Sequence, residues 1–214
     1  MRYRVYSDRA EAGRLLGAAL RKRPTALTPA IVLGLPRGGV PVAAEVARAL
    51  GAPLDVLVVR KVGVPEQPEL AMGAVGPGGV IVRNEELLEL LPHAAREFER
   101  VAQRERAEVE RRERAYRGGR PPLTLAGRTA ILVDDGVATG ATMRAGVGAT
   151  RALGAARVVV ATPVAAGDAC AMLETEADEV VCLQVPPDFR AVGAWYEEFP
   201  QLDDDEVRAL LGTA

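Results

Sequence analysis

Two aspartates stand side by side, Asp134 and Asp135, directly after the apolar run Ile131-Leu132-Val133. Beyond Gly136 and Val137 comes a stretch of small residues, Ala138-Thr139-Gly140-Ala141-Thr142. An apolar run that ends in acids reads as a buried strand delivering them to one edge of a sheet. The small-residue stretch reads as a turn opening a helix. Small side chains let backbone N–H groups approach an anion, and a helix N-terminus favours negative charge. Thr139 and Thr142 add hydroxyl donors, so the turn can cradle a phosphate without a lysine. The carboxylates repel phosphate and need another partner. They can accept hydrogen bonds from a sugar diol or hold Mg²⁺, directly or through water. Acids beside a phosphate cradle point to ribose 5-phosphate.

Leu35-Pro36-Arg37-Gly38-Gly39-Val40 also follows a strand-length apolar run and opens a helix. Gly38 and Gly39 permit close backbone approach, and Arg37 can pair bidentately with a pyrophosphate. Arg60 and Lys61 read as the end of a third strand, which puts Lys61, one of only two lysines, at the same sheet edge. Of the eight aromatic residues, four fall within eleven positions: Phe189, Trp195, Tyr196 and Phe199. Clustered rings offer stacking faces for a planar base. Phe189, Val192, Trp195 and Tyr196 are therefore the candidate acceptor-binding group.

Val133-Asp134-Asp135 followed by Ala138-Thr139-Gly140-Ala141-Thr142 resembles the signature with which type I phosphoribosyltransferases bind 5-phosphoribosyl-1-pyrophosphate (PRPP). The resemblance implies that Asp134 and Asp135 hold the ribose hydroxyls and that residues 138–142 hold the 5′-phosphate. It makes 35–40 the pyrophosphate loop, with Arg37, Gly38 and Gly39 on the pyrophosphate and a cis peptide just before Arg37. Asp134, Asp135, Arg37 and Lys61 become the catalytic set, with Mg²⁺ as cofactor, held by the two aspartates through water. The hairpin at 71–82 matches the family's mobile lid, with Glu69 as a catalytic or lid contact, and 185–214 matches its hood and terminal helix. A lid suits this chemistry, because water would capture a ribosyl cation-like state in an open site. The implied activity is transfer of ribose 5-phosphate to a nitrogenous base, in nucleotide metabolism or salvage. The same machinery also suits a PRPP- or nucleotide-sensing regulator without catalysis.

Other classes fit less well. A net charge of −2 argues against a surface that coats nucleic acid. No apolar stretch approaches the roughly 20 residues that span a bilayer, and 1–5 lack the apolar core of a signal peptide. A cytoplasmic location with no membrane partner is the expectation, and a homodimer is compatible with it. Cys170 and Cys182 then read as reduced core residues. One histidine cannot build a zinc site or a triad. Adjacent acids lack the acid–x–acid spacing of an aspartyl phosphatase. Neither a Gly-x-Gly-x-x-Gly turn nor a Gly-Lys-Thr turn is present for a dinucleotide or ATP.

The elements that must position these residues follow an α/β order: a mostly parallel central sheet with helices on both faces, a β-hairpin/long-helix insertion at 62–122, and a small hood, all in one domain over 1–214. The pattern predicts strands at 30–34, 54–60, 129–133, 157–162 and 179–184. Helices are predicted from Ser7 as N-cap to Pro24 and at 40–50, 142–153 and 167–174, with a last one capped near Asp203. Hairpin strands are predicted at 71–75 and 80–83. Residues 92–117 read as a long charged helix, solvated and packed along one edge, or else a partner-binding helix, with Phe98, Val101, Ala102 and Val109 as a narrow apolar stripe.

Overall fold

The computed structural model describes residues 3–23 and 29–213, apart from the side chains of 68, 69, 92 and 95. The helix stop at Pro24 and the side chain of Glu69 lie outside the described residues. A five-stranded sheet runs in the order β2 (Leu54–Val56), β1 (Ala30–Gly34), β6 (Thr129–Val133), β7 (Arg157–Val164), β8 (Glu179–Gln184), and every pairing in it is parallel. All of β1 and β6 is buried, as strands covered on both faces must be. Alternation sorts their side chains. Leu132, Val158 and Val160 face Met143, Val147, Ala169 and Leu173 of α5 (Ala141–Ala152) and α6 (Gly167–Glu176). Ile131, Val133 and Val159 face Leu16, Leu20, Val42 and Val46 of α1 (Arg9–Leu20) and α2 (Gly39–Leu50). Among the described residues, no helix is long and apolar enough to cross a membrane.

Some boundaries differ from the expectations. Asp8, not Ser7, caps α1, accepting the Glu11 N–H at 2.6 Å, while the Glu11 carboxylate reaches back to the Ser7 N–H. The strand expected at 54–60 divides. β2 ends at Val56, and Leu57 and Val58 stay buried outside the ladder. β3 (Arg60–Val64) then starts a second, antiparallel sheet with β4 (Gln67–Val75) and β5 (Ile81–Arg83). Lys61 is thus not the end of a main-sheet strand. It lies inside β3, opposite Ala74. The physical reason is a second core: Val62, Val64, Met72 and Val75 pack under the long helix α4 (Pro92–Arg117) rather than against the main sheet.

α4 is also more deeply seated than a solvated edge helix. Ala94, Phe98, Val101, Ala102, Val109 and Tyr116 are all buried. Glu105 sits in the same stripe, 5% exposed, bonded to Arg60 Nε of β3 and to Arg104. At the far end, Arg117 makes two 3.0 Å bonds to the Asp55 carboxylate of β2, both side chains nearly buried. Short helix α3 (Glu85–Leu90) joins the second sheet to α4. α7 (Asp204–Leu211), with a full capping box at Asp203, packs Val207 and Leu211 into the same core.

Candidate active site

β1 and β6 are neighbours in full register, Gly34 opposite Val133, so the turns that follow them emerge together. After β1, the Pro36–Arg37 peptide is cis, at the position the family resemblance implied. The turn lies directly on the acids. A Cβ added to Gly38 would fall 2.7 Å from Asp135 Cγ, and one added to Gly39 would fall 2.9 Å from Asp134 Cα. Only glycines allow that approach. The Leu35 N–H donates to Val133 C=O at 2.9 Å and clamps the base of the turn to β6.

The acids differ in surroundings. Asp135 is 9% exposed, and its Oδ2 accepts from Arg9 Nε at 2.8 Å. Asp134 Oδ1 accepts the Asp135 N–H at 2.9 Å, and no Lys or Arg forms an ion pair with Asp134 among the described residues. Burial, with the charge of Asp135 second, pushes the Asp134 carboxyl well above the usual carboxylate range. Burial also raises Asp135, and Arg9 opposes that rise.

The cradle opens α5. Gly140 takes φ +77° at the N-cap, the left-handed region where a side chain is strained. Thr139 Oγ1 accepts the Ala141 N–H at 3.4 Å, and Ala138, Thr139 and Thr142 are exposed. The Val137 N–H donates to the Val164 C=O at the end of β7, and its C=O accepts the Ala166 N–H just beyond, which holds the acid end of the turn in place.

Two cavities meet here. One, of 570 Å³, runs from Pro36 and Thr142 along β3 to α4. Arg60, Lys61, Arg100, Arg104 and Arg112 line it, with Glu105 as an acid beside them. The other, of 650 Å³, runs from Thr139 and Ala141 beneath β4 and β5. Lys61 borders both. The structure thus brings Pro36, Lys61 and the cradle together around open space, with the acids under the glycine turn beside it. Arg37 points elsewhere: its guanidinium stands 3.8 Å from Asp204 at the start of α7.

The C-terminal segment folds over the acids, Val192 packing on Gly136. Tyr196 does not have the open face expected of an acceptor-binding ring. It is 6% exposed, stacked with Phe199 at 5.1 Å and against Tyr6 at 5.5 Å, and its hydroxyl donates to the Asp135 C=O. It is an anchor for the segment. Phe189, Val192 and Trp195 stay partly exposed, with Trp195 edge-on to Tyr3.

Sequence reasoning missed Arg9 and the α4 arginines. Arg9 carried one signal: a cation in the first turn of a helix opposes the macrodipole, so a buried partner is needed to hold it there. The α4 arginines carried none, since alternating charge on a helix also describes a solvated face.

A parallel sheet presenting an acid pair, a glycine turn and a small-residue turn along one edge is the layout of an α/β phosphoribosyltransferase-type fold. Comparison with known proteins agrees. The model of the phosphoribosyl transferase domain matches residues 9–197, and the chain belongs to that family. A Mycobacterium tuberculosis H37Rv protein, named provisionally as a phosphoribosyl transferase, is 49% identical over 211 residues, 99% of this chain and 47% of that protein. The chain therefore spans about half the length of the curated relatives it matches. The crystal structure of the protein TT1426 from Thermus thermophilus superposes with a TM-score of 0.89 at 49% identity, over 98% of each chain. A hypothetical protein from Neisseria gonorrhoeae, solved with bound ppGpp, shares the fold at a TM-score of 0.52 and 15% identity, over 99% of this chain and 97% of that one.

Proposed function

We propose that this chain transfers the 5-phosphoribosyl group of PRPP to a nitrogenous base and releases pyrophosphate, with Mg²⁺. The supporting observation is the packing of the Gly38–Gly39 turn on Asp134 and Asp135, with the Thr139–Thr142 cradle on the same strand's exit. Three ligand needs, pyrophosphate, diol and 5′-phosphate, thereby meet within one patch of backbone. In the reaction an acceptor nitrogen attacks C1 of the ribose. The C1–O bond to pyrophosphate breaks, pyrophosphate leaves with the electron pair, and the nitrogen loses its proton. Positioning and electrostatics carry such a step, so no nucleophilic side chain is required. Arg60, Lys61 and the α4 arginines would meet the charge of the departing pyrophosphate. Phe189, Val192 and Trp195 would face the base.

The residues present fit Mg²⁺. Asp134 and Asp135 supply hard oxygen donors, and no group of three or more His, Cys, Asp or Glu is poised for a metal among the described residues. Such an ion would complete its shell with phosphate oxygens and water, as Mg²⁺ does on substrate phosphates. When bound it would supply charge neutralisation on the pyrophosphate.

The test is pyrophosphate release with PRPP, Mg²⁺ and a panel of purine, pyrimidine and other nitrogen acceptors. Base-dependent release is the expected result. Absence of both pyrophosphate release and PRPP binding would overturn the reading. A second reading, a nucleotide- or PRPP-sensing protein without turnover, is favoured by the Arg9 bond that already occupies Asp135. Binding without release in the same experiment would select it.

A further inference from the structure

Glu105 is a buried acid in the apolar stripe of α4, and both of its cationic partners stay outside. Arg60 Nε of β3 donates to Oε2 at 2.8 Å. Arg104 of α4 donates to Oε1 from Nε at 3.1 Å and from Nη2 at 2.8 Å. Each carboxylate oxygen thus takes one guanidinium. The Arg60 side chain is 40% exposed and that of Arg104 71%. The scaffold pair of this molecule is arranged otherwise: Arg117 and Asp55 hide cation and acid together. At Glu105 the acid is inside, while the cations line the 570 Å³ cavity that begins at Pro36 and Thr142. Arg100 and Arg112 line the same cavity, but they pair with partly exposed acids of their own helix, Glu97 and Glu108.

We propose that Glu105 is a positioning residue for a diphosphate, holding Arg60 and Arg104 side by side as a clamp on the β3–α4 wall of the cavity. Two guanidiniums brought together repel, so without an anion between them they would part. A carboxylate that takes one on each oxygen keeps the pair assembled in the empty protein, and less order has to be created when a ligand arrives. With its Nε engaged by Glu105, Arg60 keeps both Nη groups for phosphate oxygens, which a guanidinium grips bidentately. The inference deepens the proposed function and rests on it for pyrophosphate as the ligand.

The test is calorimetric binding of inorganic pyrophosphate with Mg²⁺ to the full chain, which needs neither acceptor nor turnover. Glu105→Gln removes a negative charge from the wall of an anion site, and Coulomb's law alone would make binding tighter. Loss of the clamp acts in the opposite direction, and Kd should rise about tenfold. Arg104→Met changes an exposed side chain and should also weaken binding. In the double variant Arg60→Met/Arg104→Met, adding Glu105→Gln should weaken binding no further, because a clamp without arms needs no holder. Tighter or unchanged binding in Glu105→Gln, with a parental circular dichroism spectrum, overturns the positioning role. So does equal weakening with and without the two arginines. Should Glu105→Gln fail to fold, Arg104→Met decides, and parental affinity there overturns the clamp. A parent protein that binds no pyrophosphate overturns it as well. Base-dependent release from PRPP is read separately, so failure of the clamp and failure of the transfer reading are told apart.

Discussion

Gly38→Ala tests whether the contact between glycine turn and acid is as tight as it looks. Gly38 has φ −61° and ψ −32°, which any residue adopts, so alanine meets no backbone objection. The obstacle is space alone. The new Cβ would run into Asp135 Oδ2, its nearest neighbour, and would also stand 2.7 Å from Asp135 Cγ, where ordinary contact begins at 3.4 Å. Asp135 cannot simply retreat: its side chain is 12% exposed and Arg9 holds it at 2.8 Å. Breaking that buried pair would cost about 3–5 kcal/mol. Shifting the turn costs what overpacking usually does, about 1–3 kcal/mol. The turn should therefore move, carrying Gly39 and the backbone of Arg37 off their positions. Misplacing a positioning element by about 1 Å costs about a hundredfold in rate. The expected result is a loss of about 1–3 kcal/mol in urea unfolding and a fall of about a hundredfold in kcat/KM for pyrophosphate release. An alanine variant with parental turnover and an unchanged unfolding midpoint would refute the close packing of turn on acid.

Two further outcomes follow from charges elsewhere. Arg117→Met keeps volume but strands Asp55 in the interior with only Arg120, 3.8 Å away; the loss should lie near the low end for a broken buried pair, about 3 kcal/mol, with Tm falling by about 10 °C, read by thermal unfolding. Adding Asp55→Asn should return part of that loss, and no recovery would show that the pair is not the cause. Asp134 is held above the carboxylate range by burial first and by Asp135 second, so the folded state keeps a proton that the unfolded state releases near pH 4. Stability of the ligand-free protein should therefore fall as pH rises from about 4 towards the raised value. Asp134→Asn keeps the acceptor oxygen for the Asp135 N–H, removes that slope and raises the urea midpoint at pH 7.5; an identical slope in the variant would show that Asp134 carries no such penalty.

Much of the frame was legible because buried parallel strands write themselves as unbroken apolar runs. β1, β6 and β7 carry no polar alternation to confuse them with surface, and the turns after β1 and β6 announce themselves by glycines and small residues. The exit of the chain from the first sheet was not legible. Leu57, Val58 and Val59 are as apolar as any strand, and the burial of Leu57 and Val58 comes from α5 and α4, both distant in sequence. Tyr196 misled for a related reason. A ring that anchors and a ring that stacks on a base look alike until the neighbours on both faces, Tyr6 and Phe199, are known. Glu105 was overlooked within its stripe, because an acid among apolar positions makes sense only once Arg60 arrives from another sheet.

Three aspartates of the main sheet, one inside β2 and two directly after β6, show how scaffold and site separate in this molecule. Asp55 is 7% exposed and faces two guanidiniums, one of them bidentate. Asp135 is 9% exposed and faces one. Asp134 forms no ion pair among the described residues; its Oδ1 accepts the Asp135 N–H, and its carboxyl lies against that of Asp135. Burial of a carboxylate is disfavoured unless it is paired and hydrogen-bonded, so these three positions descend from full compensation to very little. A fold selected for stability alone would have no reason to keep the last of them. Its persistence beside two anion-ready turns is understandable if a ligand supplies the missing hydroxyls or cation, and the same charge that weakens the empty protein then becomes the driving force for binding.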